Sequence, residues 1–244
     1  MTSIKKLTIE TTESTSELCH IMASYKTDKS PLVSPLLGRL ENDNRNFMVD
    51  DYFYPSAEYA HAYTGVYDFL FSPFRNKKIK LGEIGVHFNH SIRGWREWFP
   101  NAEIHGFEWV EQFITNARAE NIPNVYYHYT NVFEKDAIDK SMIEAGGGFD
   151  IIIEDSCHLL ETQVNVVETA HKYLNPGGIL IIEDIYPIIK NKDDRGHGDY
   201  LEEEFSDAIE PFKQYYSNII FVNAQHKYKY TGLYGDVRML VLYK

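Results

Sequence analysis

The chain has 244 residues and a formal charge of −12. That length suits one α/β domain with an N-terminal extension, and 43% hydrophobic residues are enough for a real core. So acidic a chain has no general electrostatic grip on nucleic acid or an anionic membrane, and no stretch reaches the apolar length of a membrane span.

The two cysteines, Cys19 and Cys157, fit neither a metal spacing nor a disulfide framework, which points to a reducing compartment. The opening "MTSIKKLTIETTESTSE" lacks the apolar core of a signal peptide, so the expected location is cytoplasmic. Residues 1–16 are polar and read as a flexible arm. Residues 17–78 read as a partly helical cap. In it "ELCHIMASYKTDKS" has helical spacing at Leu18, Ile21, Met22 and Tyr25, and "AEYAHAYTGVYDFLFSPF" repeats that spacing at Tyr59, Tyr63, Val66 and Leu70. The stretch between them, "LENDNRNFMVDDYFYP", is loop chemistry.

Residues 79–244 alternate short apolar runs with helical stretches. Strands are expected at 79–86, 102–107, 124–129, 149–155 and 178–185, with the clearest helix over 159–174, closed by "NPGG". Such alternation builds a parallel sheet covered on both faces. The runs at 215–224 and 237–244 leave no room for a helix and read as an antiparallel pair. The expected fold is a doubly wound α/β domain, its seven-stranded sheet ending in a hairpin.

In such sheets ligands sit outside the carboxyl ends of the strands. Glu83–Gly85, Glu108, Glu154–Asp155 and Glu183–Asp184 all fall at those ends, on one rim. Unpaired carboxylates crowded there would repel, so something cationic belongs among them. A divalent ion would take oxygen ligands from Asp155, Glu183 and Asp184, whose strands should be neighbours about 5 Å apart. On a regular strand Glu183 and Asp184 face opposite ways, so both can ligate only where the strand is already breaking, as the nearby Tyr186–Pro187 allows. The alternative is that each acid caps a helix or pairs with a lysine; two acid pairs with a histidine favour the ion. His158, three residues past Asp155, is placed to act as general base on a hydroxyl that a neighbouring metal makes more acidic. Cys157 reads as packing.

The first strand and its loop, "LGEIGVHFNHS", keep only Gly85 of a dinucleotide fingerprint, with His87, Phe88 and Asn89 filling the turn. That argues against NAD and its pyrophosphate. S-adenosylmethionine has no phosphate and needs less glycine: Gly85 would allow close approach, Ser91 at a helix start would receive a carboxylate, and Glu108 would accept both ribose hydroxyls. The His87–His90 pair has no third ligand nearby and reads as loop.

"LGEIGVHFNHSIRGWREWFPNAEIHGFEW", "FDIIIEDSCHLLETQ" and "LNPGGILIIEDIY" resemble the metal-dependent sugar O-methyltransferases of the mycinamicin/macrocin type. "ASYKTDKS" and "HAYTGVYDFLF" resemble that group's G-T-D-K and H-x-Y-T-x-x-Y elements, and the similarity spans roughly residues 20–185. The resemblance implies a Rossmann-like class I methyltransferase fold and methyl transfer from S-adenosylmethionine to a sugar hydroxyl. It also implies a magnesium-type ion (or manganese) held by Asp155, Glu183 and Asp184, with His158 as base and Asp155 beside it. Tyr63 and Thr64 of the second N-terminal element, Asn131 and Glu83 complete the expected cofactor set. The chain departs from the group in three places: Lys26 replaces a glycine, "HFN" replaces the first loop's glycines, and Thr130–Asn131 stand where an acid would meet adenine.

The expected acceptor is a sugar, nucleotide-sugar or glycan hydroxyl in glycan, capsule or natural-product biosynthesis. Its pocket would be formed by the N-terminal cap and by residues 186–200 and 225–236, where Tyr228, Tyr230 and Tyr234 would stack on sugar faces and Lys227 and Lys229 would meet phosphate; the alternative for 225–236 is an ordinary exposed hairpin with solvated lysines. Two other readings remain open: methylation of a catechol-like diol, and a non-catalytic binding module. The oligomeric state is also open, a homo-oligomer included.

Overall fold

A computed structural model describes residues 3–11, 14–33, 48–49, 52–53, 61–185, 202–226 and 238–244. Ten strands lie among the described residues: β1 (Ile4–Glu10), β2 (Met48–Val49), β3 (Tyr52–Phe53), β4 (Lys80–Ile84), β5 (Glu103–Glu108), β6 (Val125–Tyr129), β7 (Phe149–Glu154), β8 (Leu174–Ile185), β9 (Asn218–Gln225) and β10 (Arg238–Tyr243). The helices there are α1 (Glu17–Ser24), α2 (Tyr63–Phe71), α3 (His90–Trp98), α4 (Glu111–Ala119), α5 (Lys135–Glu144), α6 (Leu160–Ala170) and α7 (Glu202–Ala208). The main sheet runs β1-β9-β10-β8-β7-β4-β5-β6, and β2 with β3 makes a separate two-stranded piece. Strands β4 to β8 pair in parallel, and β10 runs antiparallel between β8 and β9.

Strand alternation divides the core. Ile151, Ile153, Ile179 and Ile181 point to one face, where Leu18, Met22, Tyr63, Tyr67, Phe71, Ile92 and Trp95 cover them. Ile152, Leu180 and Ile182 point to the other, against Ile138, Met142, Val166, Val167 and Phe205. The N-terminal cap thus shares its core with the sheet. Among the described residues no helix is long and apolar enough to cross a membrane.

Three expectations change. The main sheet has eight strands among the described residues, not seven, because residues 4–10 are no loose arm: β1 adds in parallel to β9, from Ile4 opposite Ile219 to Glu10 opposite Gln225. The reason is that β9 would otherwise present a row of unpaired backbone groups. Ile4 and Ile9 pack on the two core faces, and Lys5 donates to Asn218 at 3.0 Å. Second, the helix expected to Leu174 stops at Ala170, and β8 starts at Leu174 and absorbs "NPGG". Third, the helix beginning at Glu17 ends at Ser24. Beyond it Lys26 takes φ +62°, the left-handed geometry that glycine adopts freely, which accounts for the glycine in the related motif. Tyr59, residues 186–201, and Lys227, Tyr228, Lys229, Tyr230 and Tyr234 lie outside the described residues.

Candidate active site

The strand order reverses between β4 and β7: β5 and β6 lie on one side, β8 on the other. The cleft at such a reversal, beyond the carboxyl ends, is where doubly wound sheets bind ligands. Glu83, Glu154, Asp155, Glu183 and Asp184 all reach it.

The cation that this rim requires is supplied by the chain. Lys29, 1% exposed, comes in from the N-terminal cap and binds Asp155 Oδ2 directly. Its Nζ also donates to Glu183 Oε2 at 2.8 Å and lies 3.5 Å from Glu83 Oε1. The turn carrying Lys29 is pinned on both sides. Thr27 N donates to Met22 O at 3.2 Å, His61 N to Asp28 O at 2.9 Å, and Thr64 N to Lys29 O at 3.0 Å. Burial opposes the ammonium's charge, but Asp155, Glu183 and Glu83 outweigh it and hold the Lys29 pKa well above its ordinary value. Lys29 carried no role in the sequence reading; its signal was the lysine of "KTDKS" taken with the need for a cation among the acids.

Glu183 sits deep beside it, 1% exposed, with Oε1 accepting from the Tyr67 hydroxyl. Burial first, then the Asp155 charge, push its pKa well up. Asp184 has φ +59°, and β8 does not break there but bulges, its register with β10 shifting between Ile182 and Ile185, so that Glu183 and Asp184 both meet α2 tyrosines. Its Oδ1 accepts from the Tyr63 hydroxyl at 2.6 Å, and His61 Nδ1 lies 3.7 Å away. Burial opposes ionisation of Asp184, yet His61, His158 and the Tyr63 bond win and bring its pKa down to about 2. His158 also has positive φ, +55°, which swings its ring back over the rim. Its Nε2 is 3.4 Å from Asp184 Oδ2 and 3.8 Å from Asp155 Oδ1. Burial disfavours the imidazolium, but Asp184, Asp155 and Glu154 together raise its pKa.

Ligand atoms of Asp155, His158 and Asp184 therefore lie within 4.8 Å of one another. That donor set suits a small divalent ion: two hard oxygens and an imidazole nitrogen. In this arrangement Glu183 is turned inward, to Lys29 and Tyr67, and does not share that opening.

The cofactor-side residues are placed less as expected. Gly85 takes φ +97°, and a side chain there would put its first carbon 1.9 Å from the Asp155 carbonyl oxygen. Gly85→Ala should therefore cost about 3–5 kcal/mol. A melting temperature within about 2 °C of the parent's would contradict that. Glu108 Oε2 accepts from Val86 N (3.1 Å) and His87 N (2.9 Å), and Oε1 from Trp109 N and Val110 N, both 2.9 Å. Its two oxygens hold the loops after β4 and β5 together. Ser91 spends its hydroxyl on Glu83 Oε2 (2.8 Å), where Trp95 Nε1 also donates (3.1 Å). Thr64 donates to Cys19 Sγ at 3.0 Å, and Asn131 binds Glu134 Oε1 and Phe133 N. Burial pushes the Glu83 pKa up to about 7 against the pull of Lys29. Near the ends of β5 and β6, Thr130 Oγ1 is buried without a hydrogen-bond partner, and the rings of Trp109 (57%) and Phe133 (43%), which the sequence did not single out, stand exposed.

A family model described as "Methyltransferase domain" matches residues 82–232, more than half of the chain. The chain belongs to the methyltransferase-domain family. The strand order around β4, with the antiparallel β10, is the class I methyltransferase fold. The tetracenomycin-C rhamnosyl 2'-O-methyltransferase of Streptomyces olivaceus is 27% identical over 132 residues, 51% of this chain and 33% of that protein. The mycinamicin VI 2''-O-methyltransferase of Micromonospora griseorubida is 27% identical over 143 residues, 55% of this chain and 34% of that protein. This chain thus spans about a third of the length of those relatives. Among solved structures, the MycE methyltransferase of the mycinamycin pathway, crystallised with Mg and SAH, aligns with a TM-score of 0.58 and 19% identity. The alignment covers 93% of this chain and 55% of that one.

Proposed function

We propose that the chain is an S-adenosylmethionine-dependent, divalent-metal-dependent O-methyltransferase acting on a sugar hydroxyl in glycan, capsule or natural-product biosynthesis. The observation that carries this reading is the meeting of Asp155, Asp184 and His158 at the strand-order reversal. The named activities of the similar O-methyltransferases support the choice of a sugar acceptor.

Asp155 and Asp184 would hold the ion, with Glu183, now bound to Lys29 and Tyr67, the expected third carboxylate. A divalent ion bound there would lower the pKa of an acceptor hydroxyl. His158 takes that hydroxyl's proton, its ring held over the rim by the left-handed backbone and by the two aspartates. S-adenosylmethionine carries an already activated methyl group, so positioning is the chain's main task. Gly85 brings the β4 loop backbone close to the β7 crossover, while Glu108 fixes the loops that flank the ribose. Ser91, Tyr63 and Thr64 act through their partners: Ser91 orients Glu83, Tyr63 orients Asp184, and Thr64 steadies the Lys29 turn. Thr130 and Asn131, with Trp109 and Phe133, would flank the adenine end.

The test is formation of S-adenosylhomocysteine in the presence of Mg2+ or Mn2+ with a panel of rhamnosides, nucleotide sugars and catechols. Turnover confined to sugars and abolished by EDTA is expected. Turnover with catechols alone would transfer the reading to aromatic diols, and EDTA-resistant turnover would remove the metal from it.

A further inference from the structure

Among the described residues the acid rim holds a lysine ammonium at its centre, and that cation stands on carboxylates a divalent ion needs. Lys29 Nζ engages Asp155 Oδ2 and Glu183 Oε2, while Tyr67 closes the other oxygen of Glu183. Beside it is a second seat. Glu83 Oε1 is buried, accepts no hydrogen bond, and lies 3.5 Å from the same ammonium. Its other oxygen, Oε2, is already fixed by Ser91 and Trp95, so that seat is built in place.

We propose that Lys29 is a placeholder cation. Without metal it neutralises Asp155 and Glu183; when a divalent ion arrives it yields them and withdraws onto Glu83 Oε1. This rests on the metal-dependent reading above and adds to it a residue that sets the ion's affinity from inside the cap. Electrostatics makes the exchange reasonable. Glu83, Asp155, Glu183 and Asp184 crowd one cluster with the Lys29 ammonium and the His158 ring among them, so an arriving divalent ion and the ammonium compete for the same oxygens. A fixed positive charge beside the ion's ligands lowers affinity, and carboxylate sites gain affinity with each uncompensated ligand charge. The ammonium is also part of what holds the cap on the sheet, because Lys29 bridges residues 126 and 154 positions away. A metal-free chain without it leaves buried acids facing one another, whereas a loaded chain does not.

The experiment is equilibrium Mn2+ binding, read by the EPR signal of free Mn2+, on the full chain and on Lys29→Met, Lys29→Gln and Lys29→Arg. The methionine and glutamine variants should bind Mn2+ at least ~10-fold more tightly than the parent, and arginine should stay within about threefold. Thermal melts should run the other way. The neutral variants melt below the parent without metal and gain more from saturating Mn2+ than the parent does. Should Lys29→Met fail to fold, Lys29→Gln keeps a donor to the same carboxylates without the charge and carries the test. Folded neutral variants that bind Mn2+ no more tightly than the parent would overturn the placeholder role while leaving the metal site standing. No Mn2+ binding by any of the chains would overturn the metal reading itself, and the placeholder with it.

Discussion

Asp184→Asn should weaken Mn2+ or Mg2+ binding by about 100-fold or more and reduce methyl transfer to background. The substitution is chosen because so little else should change. Asparagine tolerates the left-handed backbone that Asp184 occupies at φ +59°, and its amide oxygen can still accept the Tyr63 hydroxyl now held at 2.6 Å. What disappears is the charge, which His61 and His158 help keep on the carboxyl at low pH. Asp184 offers its other oxygen, Oδ2, toward His158 at 3.4 Å, so the rim would lose one of the two hard ligands in its opening. Isothermal titration with Mn2+ and a turnover assay at saturating metal check the two halves separately. Asp184→Asn chains that bind the ion as well as the parent would show that Asp184 is held for its hydrogen bond alone.

His158→Gln should lower turnover by roughly 10²- to 10⁴-fold while leaving Mn2+ affinity within a few-fold of the parent. The split between the two readouts matters, since the same imidazole lies close enough to the aspartates to be a ligand. As a base, it is needed in the transfer step only; as a ligand, its loss would show first in ion affinity. Its geometry favours the former. The ring belongs to a residue at φ +55°, just beyond β7, and is a third exposed. Glutamine accepts hydrogen bonds in the same region but cannot take a proton at neutral pH. A variant retaining full turnover would remove His158 from the chemistry, and one that loses metal first would move it into the coordination shell.

The rim was legible because β-strands announce their carboxyl ends: an isoleucine run followed by acids leaves little choice about where the acids go. The doubly wound order and the two-faced alternation of Ile151–Ile153 and Ile179–Ile182 followed from the same pattern. Which acid faces which partner was not legible. Glu183 and Asp184 turn to one side because Asp184 goes left-handed, and neither residue type signals that in advance. Lys29 escaped notice for another reason. It lies more than a hundred residues from its partners, and the counter-ion to a cluster carries no local pattern. Hydroxyl partners were not legible either. Ser91, Tyr63 and Thr64 each donate to a protein acceptor, a commitment made by packing and not by sequence spacing. The first strand was missed because "IKKLTIE" is half polar; an edge strand needs only backbone and two well-placed isoleucines.

That first strand has a consequence for biosynthesis. Its partner β9 is synthesised long after it: Thr11 and Gln225, which bond to one another, are 214 positions apart. At ordinary elongation rates the interval is roughly 10–40 s, during which nascent β1 has no β9 to pair with. The ammonium of Lys29 can meet its carboxylates sooner, once β8 has emerged, so the inner rim can assemble before this margin is sealed.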